Sequence, residues 1–354
     1  MYNYHFPKDF IIGTATAAYQ IEGGREHLDS CIWDDFAKIP GKVHNFEDGA
    51  IACDSYNRVD EDVALLKQLN VKAYRFSICL TRVINENGEV LQEGINYYKY
   101  LICKLKENNI MPFVTLYHWD LPSYLQEKYG GWIADETVQW FVKYCEVVFN
   151  AFKNDVPFYI TINEPFCVCH LGYAYGCHAP GICDEKQQLK ASFNILKAHG
   201  LVVNLYKKLG YTGKIGICVN INDVRGHENT SESVVRLFKN KGMWWYFMPV
   251  ATGKFPEDAF AFYKEKGLFD RYRDELEYIY TRYMLATYLK RTAKSKDKKR
   301  YKEAVRFAMS EVKKAFPEYK KNPYLKRGLK GLYLRCLNPL LANAVFYLER
   351  NRMN

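Results

Sequence analysis

Thr161–Pro165 reads T-I-N-E-P and closes the apolar run V-P-F-Y-I that starts at Val156. An acid set between an asparagine and a proline at the end of a strand-like run stands where a proton donor would be useful. Glycosidic bond cleavage needs two carboxylic acids: one protonates the leaving oxygen, and the other attacks, or activates water, across the ring. Glu164 suits the first role, and the amide of Asn163 beside it suits a sugar hydroxyl. On these five residues alone, a helix N-cap partner or a salt-bridge member is the commoner reading of Glu164, and the surrounding motifs change it. Three more polar residues follow apolar runs in the same way. Gln20, Arg75, His118 and Asn163 are separated by 55, 43 and 45 residues, about one strand–helix unit each.

Strands are predicted at Phe10–Ile12, Ala73–Ile78, Met111–Tyr117, Pro157–Asn163 and Lys214–Asn220. Between them, Asp60–Asn70, Ile95–Asn109, Asp135–Asn154 and Gln187–Gly210 place apolar residues at i, i+3, i+4 and i+7, the helical period. Alternating strands and helices imply parallel βαβ units. In a (β/α)₈ barrel the C-terminal strand ends converge on one pocket, so the four polar positions would face a single substrate. A doubly wound sheet is the alternative, but no glycine-rich phosphate loop follows the first strand.

At 48% hydrophobic and 25% charged residues the chain reads as globular. Its longest apolar stretch, Met243–Ala251, is far short of the ~18 residues of a membrane span, so no membrane partner is expected. The N-terminus shows neither a basic start nor an apolar core of the secretory kind, and the eleven cysteines read as reduced thiols of a cytoplasmic protein. Cys167, Cys169, Cys177 and Cys183, with His170 and His178 among them, fit no common zinc spacing, so no metal and no cofactor are expected. His199 reads as a packed helix residue, and Trp244 and Trp245 as core more than as a sugar platform.

The chain as a whole carries F-P-K-D-F-I-I-G-T-A-T-A-A-Y-Q-I-E-G-G from Phe6, S-C-I-W-D-D-F from Ser30, and C-D-S-Y-N-R-V-D-E-D-V-A-L-L-K from Cys53. L-Y-H-W-D-L-P, G-G-W, T-I-N-E-P and G-C-H-A-P-G follow in order. With these motifs it resembles glycoside hydrolase family 1, the β-glucosidases, 6-phospho-β-glucosidases and their relatives, over about residues 5–267. The resemblance implies a (β/α)₈ barrel and retaining hydrolysis of a small-molecule β-glycoside. It implies that Glu164 is the general acid/base, and that Gln20, His118 and Asn163 bond the hydroxyls of the cleaved sugar. Trp119 would form a wall of the site, and Arg75 would orient the nucleophilic carboxylate. Trp33 belongs to the motif on the leaving-group side.

The resemblance also implies a nucleophile late in the chain, in a Thr-Glu-Asn-Gly segment. N-E-N-G at Asn85–Gly88 is similar in letters but falls in a turn after the second strand, where Asn-Gly is ordinary turn chemistry. No segment after residue 267 offers a substitute. Residues 268–354 hold 22 Lys and Arg against 9 Asp and Glu, while residues 1–267 hold 28 against 31, so the basic excess belongs to the tail. With R-Y-M-L-A-T-Y-L-K from Arg282 and G-L-Y-L-R-C-L-N-P from Gly331, the tail is similar to the C-terminal end of bacterial family 2 glycosyltransferases, without a catalytic motif of theirs. The expected fold is therefore an incomplete (β/α)₈ TIM-barrel-type domain over 1–267, with about five βα units, followed by a basic, mainly helical tail of different origin over 268–354. Two consequences are expected: self-association through open barrel edges, and an impaired β-glycosidase, or else a non-catalytic remnant that binds sugar weakly. The run K-R-T-A-K-S-K-D-K-K-R from Lys290 reads as a solvated helix face, and nucleic acid is not expected as a partner.

Overall fold

The computed structural model describes residues 6–26, 28–152, 155–227, 230–253, 256–264, 297–315 and 317–322, with 285, 289, 325, 333–338 and 341–342. Its sheet consists of β1 (Gly13–Ala15), β2 (Ala73–Ser77), β3 (Met111–Tyr117), β4 (Phe158–Asn163) and β5 (Lys214–Cys218). Every pairing is parallel, and the strands lie in chain order from β1 to β5. A doubly wound sheet reverses its order at a switch point. This order does not reverse, so that alternative falls.

The inner strands β2, β3 and β4 are buried over most of their length, as parallel strands covered on both faces must be. β-branched and aromatic residues dominate them, and Phe113 and Phe158, paired across β3 and β4, stack at 4.3 Å. The end strands β1 and β5 are more exposed.

The first strand lies three residues later than the sequence predicts. Phe10, Ile11 and Ile12 are 50%, 42% and 58% exposed, and the ladder opens only where the Lys72 N–H meets the Ile12 carbonyl, with Gly13 paired to Ala73. A strand needs a partner as well as apolar residues, and β2 begins at Ala73. A Cβ on Gly13 would lie 2.6 Å from the Ala73 carbonyl oxygen, so the close approach demands glycine here.

The connecting helices are α1 (Ile32–Lys38), α2 (Val59–Gln68), α3 (Gln92–Glu107), α4 (Asp135–Phe152) and α5 (Glu185–Lys208). The last four agree with the predicted helices. Asp184 caps α5 by accepting the N–H groups of Lys186 and Gln187 at 2.8 and 3.1 Å. Lys207 and Lys208 end it ahead of Gly210, whose φ is +75°. Phe149 of α4 meets Tyr159 of β4 and Tyr206 of α5, both at 5.1 Å, which welds these two helices to the sheet.

The chain divides into two compact units, Met1–Asn222 with Gly242–Lys254, and Asp223–Lys241 with Phe255–Asn354. The first holds the sheet and α6 (Trp244–Thr252). Its Trp245 is fully buried and bonds Ser192, while Trp244 is half-buried. In the second, α7 (Glu232–Lys241) and α8 (Glu257–Lys264) are joined by Arg236–Asp258 at 3.1 Å. Helix α9 (Lys298–Ala315) buries Tyr301, Ala304, Val305, Ala308 and Val312 in a separate core. Those positions share one helical face, and Lys298, Lys299, Arg300, Lys302 and Arg306 lie exposed off it. N-P-L-L-A-N-A-V-F-Y-L-E-R-N-R from Asn338, which the sequence also predicts as a helix of the tail, falls almost wholly outside the described residues, as do residues 290–296 of the basic run. Among the described residues, no helix is long and apolar enough to cross a membrane.

Candidate active site

The strand ends place the chemistry. Arg75 lies on β2, Thr115 on β3 with His118 directly after it, Asn163 ends β4 with Glu164 next, and Cys218 ends β5. Two of these turns hold non-glycine residues in the left-handed region, Trp119 at φ +80° and Glu164 at φ +47°. Such backbone persists only where the surroundings over-determine it, and it gathers at functional sites. The surroundings here are explicit. The Glu164 N–H donates to the Cys218 carbonyl at 2.8 Å, the Glu164 carbonyl accepts from Cys167 at 2.9 Å, and the Trp119 indole N–H holds the Asn163 carbonyl at 2.9 Å.

Arg75, Asn163 and His118 form one hydrogen-bonded chain. Arg75 donates from Nη2 to Asn163 Oδ1 at 2.5 Å, and Asn163 Nδ2 contacts His118 Nε2 at 2.9 Å. A guanidinium only donates, so the amide must turn its oxygen to Arg75 and its NH₂ to the imidazole. His118 Nε2 is then the acceptor, and the ring proton sits on Nδ1. That Nδ1 is buried and has no partner among the described residues, a donor without an acceptor there. Burial first, and the Arg75 charge second, push the His118 pKa down to about 4, so the ring is a neutral hydroxyl binder near neutral pH.

Glu164 is half-buried and makes no ion pair among the described residues, and its side chain caps no helix. The bland readings open at the sequence level therefore do not describe it. Its carboxylate accepts from the Cys167 thiol at 3.5 Å, and Cys167 in turn accepts from Asn220 Nδ2 at 3.6 Å. Burial, and the Glu164 charge after it, push the Cys167 pKa well up, which keeps the sulfur protonated as a donor. Sequence reasoning passed over Thr115, Cys218 and Asn220, and weighed Cys167 only as a metal ligand. A lone hydroxyl inside P-F-V-T-L-Y was the available signal for Thr115, and the strand-end rule was the signal for Asn220.

An aromatic cluster adjoins the strand ends. Trp33 lies 6.3 Å from Trp119, and the His178 ring is 5.4 Å from each of them. Burial lowers the His178 pKa to about 4, so it behaves as a neutral aromatic ring. Gln20 sits on a single helical turn, Ala18–Ile21, after β1, exposed and outside the hydrogen-bonded chain. Glu86 is exposed in a turn closed by Gly88 N–H to Asn85 O, with Ile84 and Val90 bridged across it. His199 packs as expected, with Nδ1 2.8 Å from Thr161 Oγ1. His170 Nδ1 meets the Tyr246 hydroxyl at 3.0 Å. Among the described residues no group of three His, Cys, Asp or Glu side chains is placed to hold a metal ion.

Asp120, two residues after His118, is fully buried, with Oδ1 unpartnered among the described residues and Oδ2 accepting from the Leu80 N–H at 3.2 Å. Burial raises its pKa from 3.8 to about 6. A folded-state value above the unfolded one means a contribution to stability that is fully present below about pH 4 and lost as pH rises through about 6. Asp120→Asn should therefore flatten the stability–pH curve over that window and stabilise the protein at neutral pH by about 1–3 kcal/mol. Urea unfolding across the window checks this, and an unchanged slope would refute it.

The family model described as "Glycosyl hydrolase family 1" matches residues 2–336. The chain belongs to glycosyl hydrolase family 1. It is 42% identical over 268 residues to β-glucosidase A of Acetivibrio thermocellus, covering 74% of this chain and 60% of that one. It is 40% identical over 280 residues to β-glucosidase A of Thermotoga maritima, covering 77% and 62%. The solved family 1 β-glucosidase of Thermotoga maritima superposes with a TM-score of 0.67 at 40% identity, over 71% of this chain and 58% of that one. This family member thus spans about three fifths of the length of the relatives it matches.

Proposed function

We propose that this chain carries the proton-donor half of a retaining β-glycosidase site, acting on β-D-glucosides in carbohydrate metabolism, with Glu164 as general acid/base. The observation that carries the reading is Glu164 itself, locked by its backbone at the end of β4 and holding a carboxylate free of ion pairs among the described residues. His118, Asn163 and Gln20 bind the sugar hydroxyls, and the unpartnered His118 Nδ1–H is the donor that speaks most directly for this. Trp119 supplies an aromatic face for the apolar side of a pyranose. Arg75 orients the nucleophilic carboxylate of the double displacement. Proton transfer and displacement at carbon need no cofactor.

The proposal includes impairment. Support comes from the neutral partners of Arg75, which are Thr115, Cys218 and Asn163, and from the surface-turn position of the N-E-N-G segment. An incomplete barrel, whose sheet ends on β1 and β5 among the described residues, is part of the same reading. Exposed strand edges invite pairing with another chain, so self-association is expected and sedimentation velocity would detect it. The charge shift supports a basic helical tail of separate, glycosyltransferase-like origin over 268–354, whereas the family match runs on to residue 336. All eleven cysteines are free, which supports a cytoplasmic protein. The substrate is a small β-glycoside; neither nucleic acid nor membrane is part of the proposal.

The neutral surroundings of Arg75 also favour a second reading, a non-catalytic remnant that binds sugar weakly. An aryl β-glucoside assay separates the two. Turnover that disappears in Glu164→Gln sinks the remnant. A covalent adduct with a fluorinated glycoside would reveal a working nucleophile and end the claim of impairment.

A further inference from the structure

We infer that Arg75 is a binding site for a free monocarboxylate of formate or acetate size, held by two N–H groups that no described residue takes. A guanidinium has five N–H donors and no acceptor. Three are taken: Nε by Thr115 Oγ1 at 2.8 Å, Nη1 by Cys218 Sγ at 3.6 Å and Nη2 by Asn163 Oδ1 at 2.5 Å. One N–H therefore remains on each of Nη1 and Nη2, the number that a carboxylate takes when it bonds through both oxygens. The three acceptors are a hydroxyl, a thiol and an amide, and none brings a countercharge.

The contrast within the molecule is direct. Arg25 and Arg82 are also buried near the strand ends, and each holds a carboxylate, Asp34 at 2.6 Å and Glu22 at 3.1 Å. Among the described residues Arg75 holds no acid, although it is half out of water. A cation withdrawn from water without a countercharge is the costly arrangement, and a bound anion relieves it. His118 adds a second unused donor on the same hydrogen-bonded chain, its buried Nδ1–H. This goes beyond the glycosidase reading, because the unused donors exist whether or not a sugar is ever cleaved.

The test is a titration of sodium formate into the full chain, with chloride making up constant ionic strength, followed by the width of the formate proton resonance. Saturable broadening is expected. Arg75→Lys, which keeps the charge and loses the fork, should weaken binding about tenfold or more. Should that variant fail to fold by circular dichroism, competition in the unaltered chain decides. Nitrate, planar and able to present two oxygens, should displace formate at about a tenth of the chloride concentration needed. Absence of saturable broadening, equal affinity in the lysine variant, or equal displacement by the two anions would each overturn the inference. The readout requires no turnover, so an inactive glycosidase leaves it intact.

Discussion

Supplied with azide, the protein should cleave an alkyl β-glucoside to the glycosyl azide of inverted configuration, and Glu164→Gln should slow that reaction about 10²–10⁴-fold. The azide nitrogen attacks the anomeric carbon from the face opposite the leaving oxygen. The carbon–oxygen bond breaks with its electron pair on oxygen, and the Glu164 proton moves to that oxygen, releasing the alcohol. Solvent then reprotonates the carboxylate. An amide at position 164 cannot supply the proton, so the loss should be large for a basic alkoxide and small for a dinitrophenolate, which leaves without help. That dependence on the leaving group marks acid catalysis, and a merely structural role would not produce it. Azide-independent hydrolysis at full rate would contradict impairment, and failure with every leaving group would favour the non-catalytic reading.

Arg82→Met should lower stability at neutral pH by about 3–5 kcal/mol, because it strands a buried carboxylate. The Arg82 and Glu22 side chains are 4% and 6% exposed. Arg82 Nε meets Glu22 Oε2 at 3.1 Å, Nη2 holds the Gly23 carbonyl at 2.9 Å, and the guanidinium lies 4.0 Å over the Tyr56 ring. The Tyr98 hydroxyl donates to the other Glu22 oxygen at 2.7 Å. Burial raises the Glu22 pKa even with these partners present, the arginine charge opposing it. Removing the charge removes that opposition, so the variant should bury a protonated acid. Its deficit should shrink as pH falls and Glu22 is neutralised. Urea midpoints at neutral and acid pH test both halves, and an equal loss at both would mean that packing, not charge, dominates. The network matters to the site because Glu22 anchors the segment that carries Gln20 to the loop after β2.

Much of the architecture was legible because it rests on local periods. Apolar residues at helical spacing located α2 to α5, and strand-like runs located β2 to β5, since a buried face must repeat with the geometry of its own element. His118, Asn163 and Glu164 were legible as polar residues that end such runs, Arg75 as a lone cation within one, and ordered short motifs identified the family. The start of β1 was not legible: Phe10–Ile12 are the apolar residues, yet Gly13–Ala15 form the strand, because pairing with Ala73 decides the register. Nor could spacing show which atoms meet. Arg75 contacts Thr115, Asn163 and Cys218 across 40, 88 and 143 residues of chain, and those contacts set the Asn163 amide, the His118 tautomer and the two unused guanidinium donors. By itself the sequence determined the elements and the residue types at their ends. Only the tertiary structure decided their protonation, orientation and partners, because hydrogen bonds and desolvation depend on neighbours that chain order does not specify.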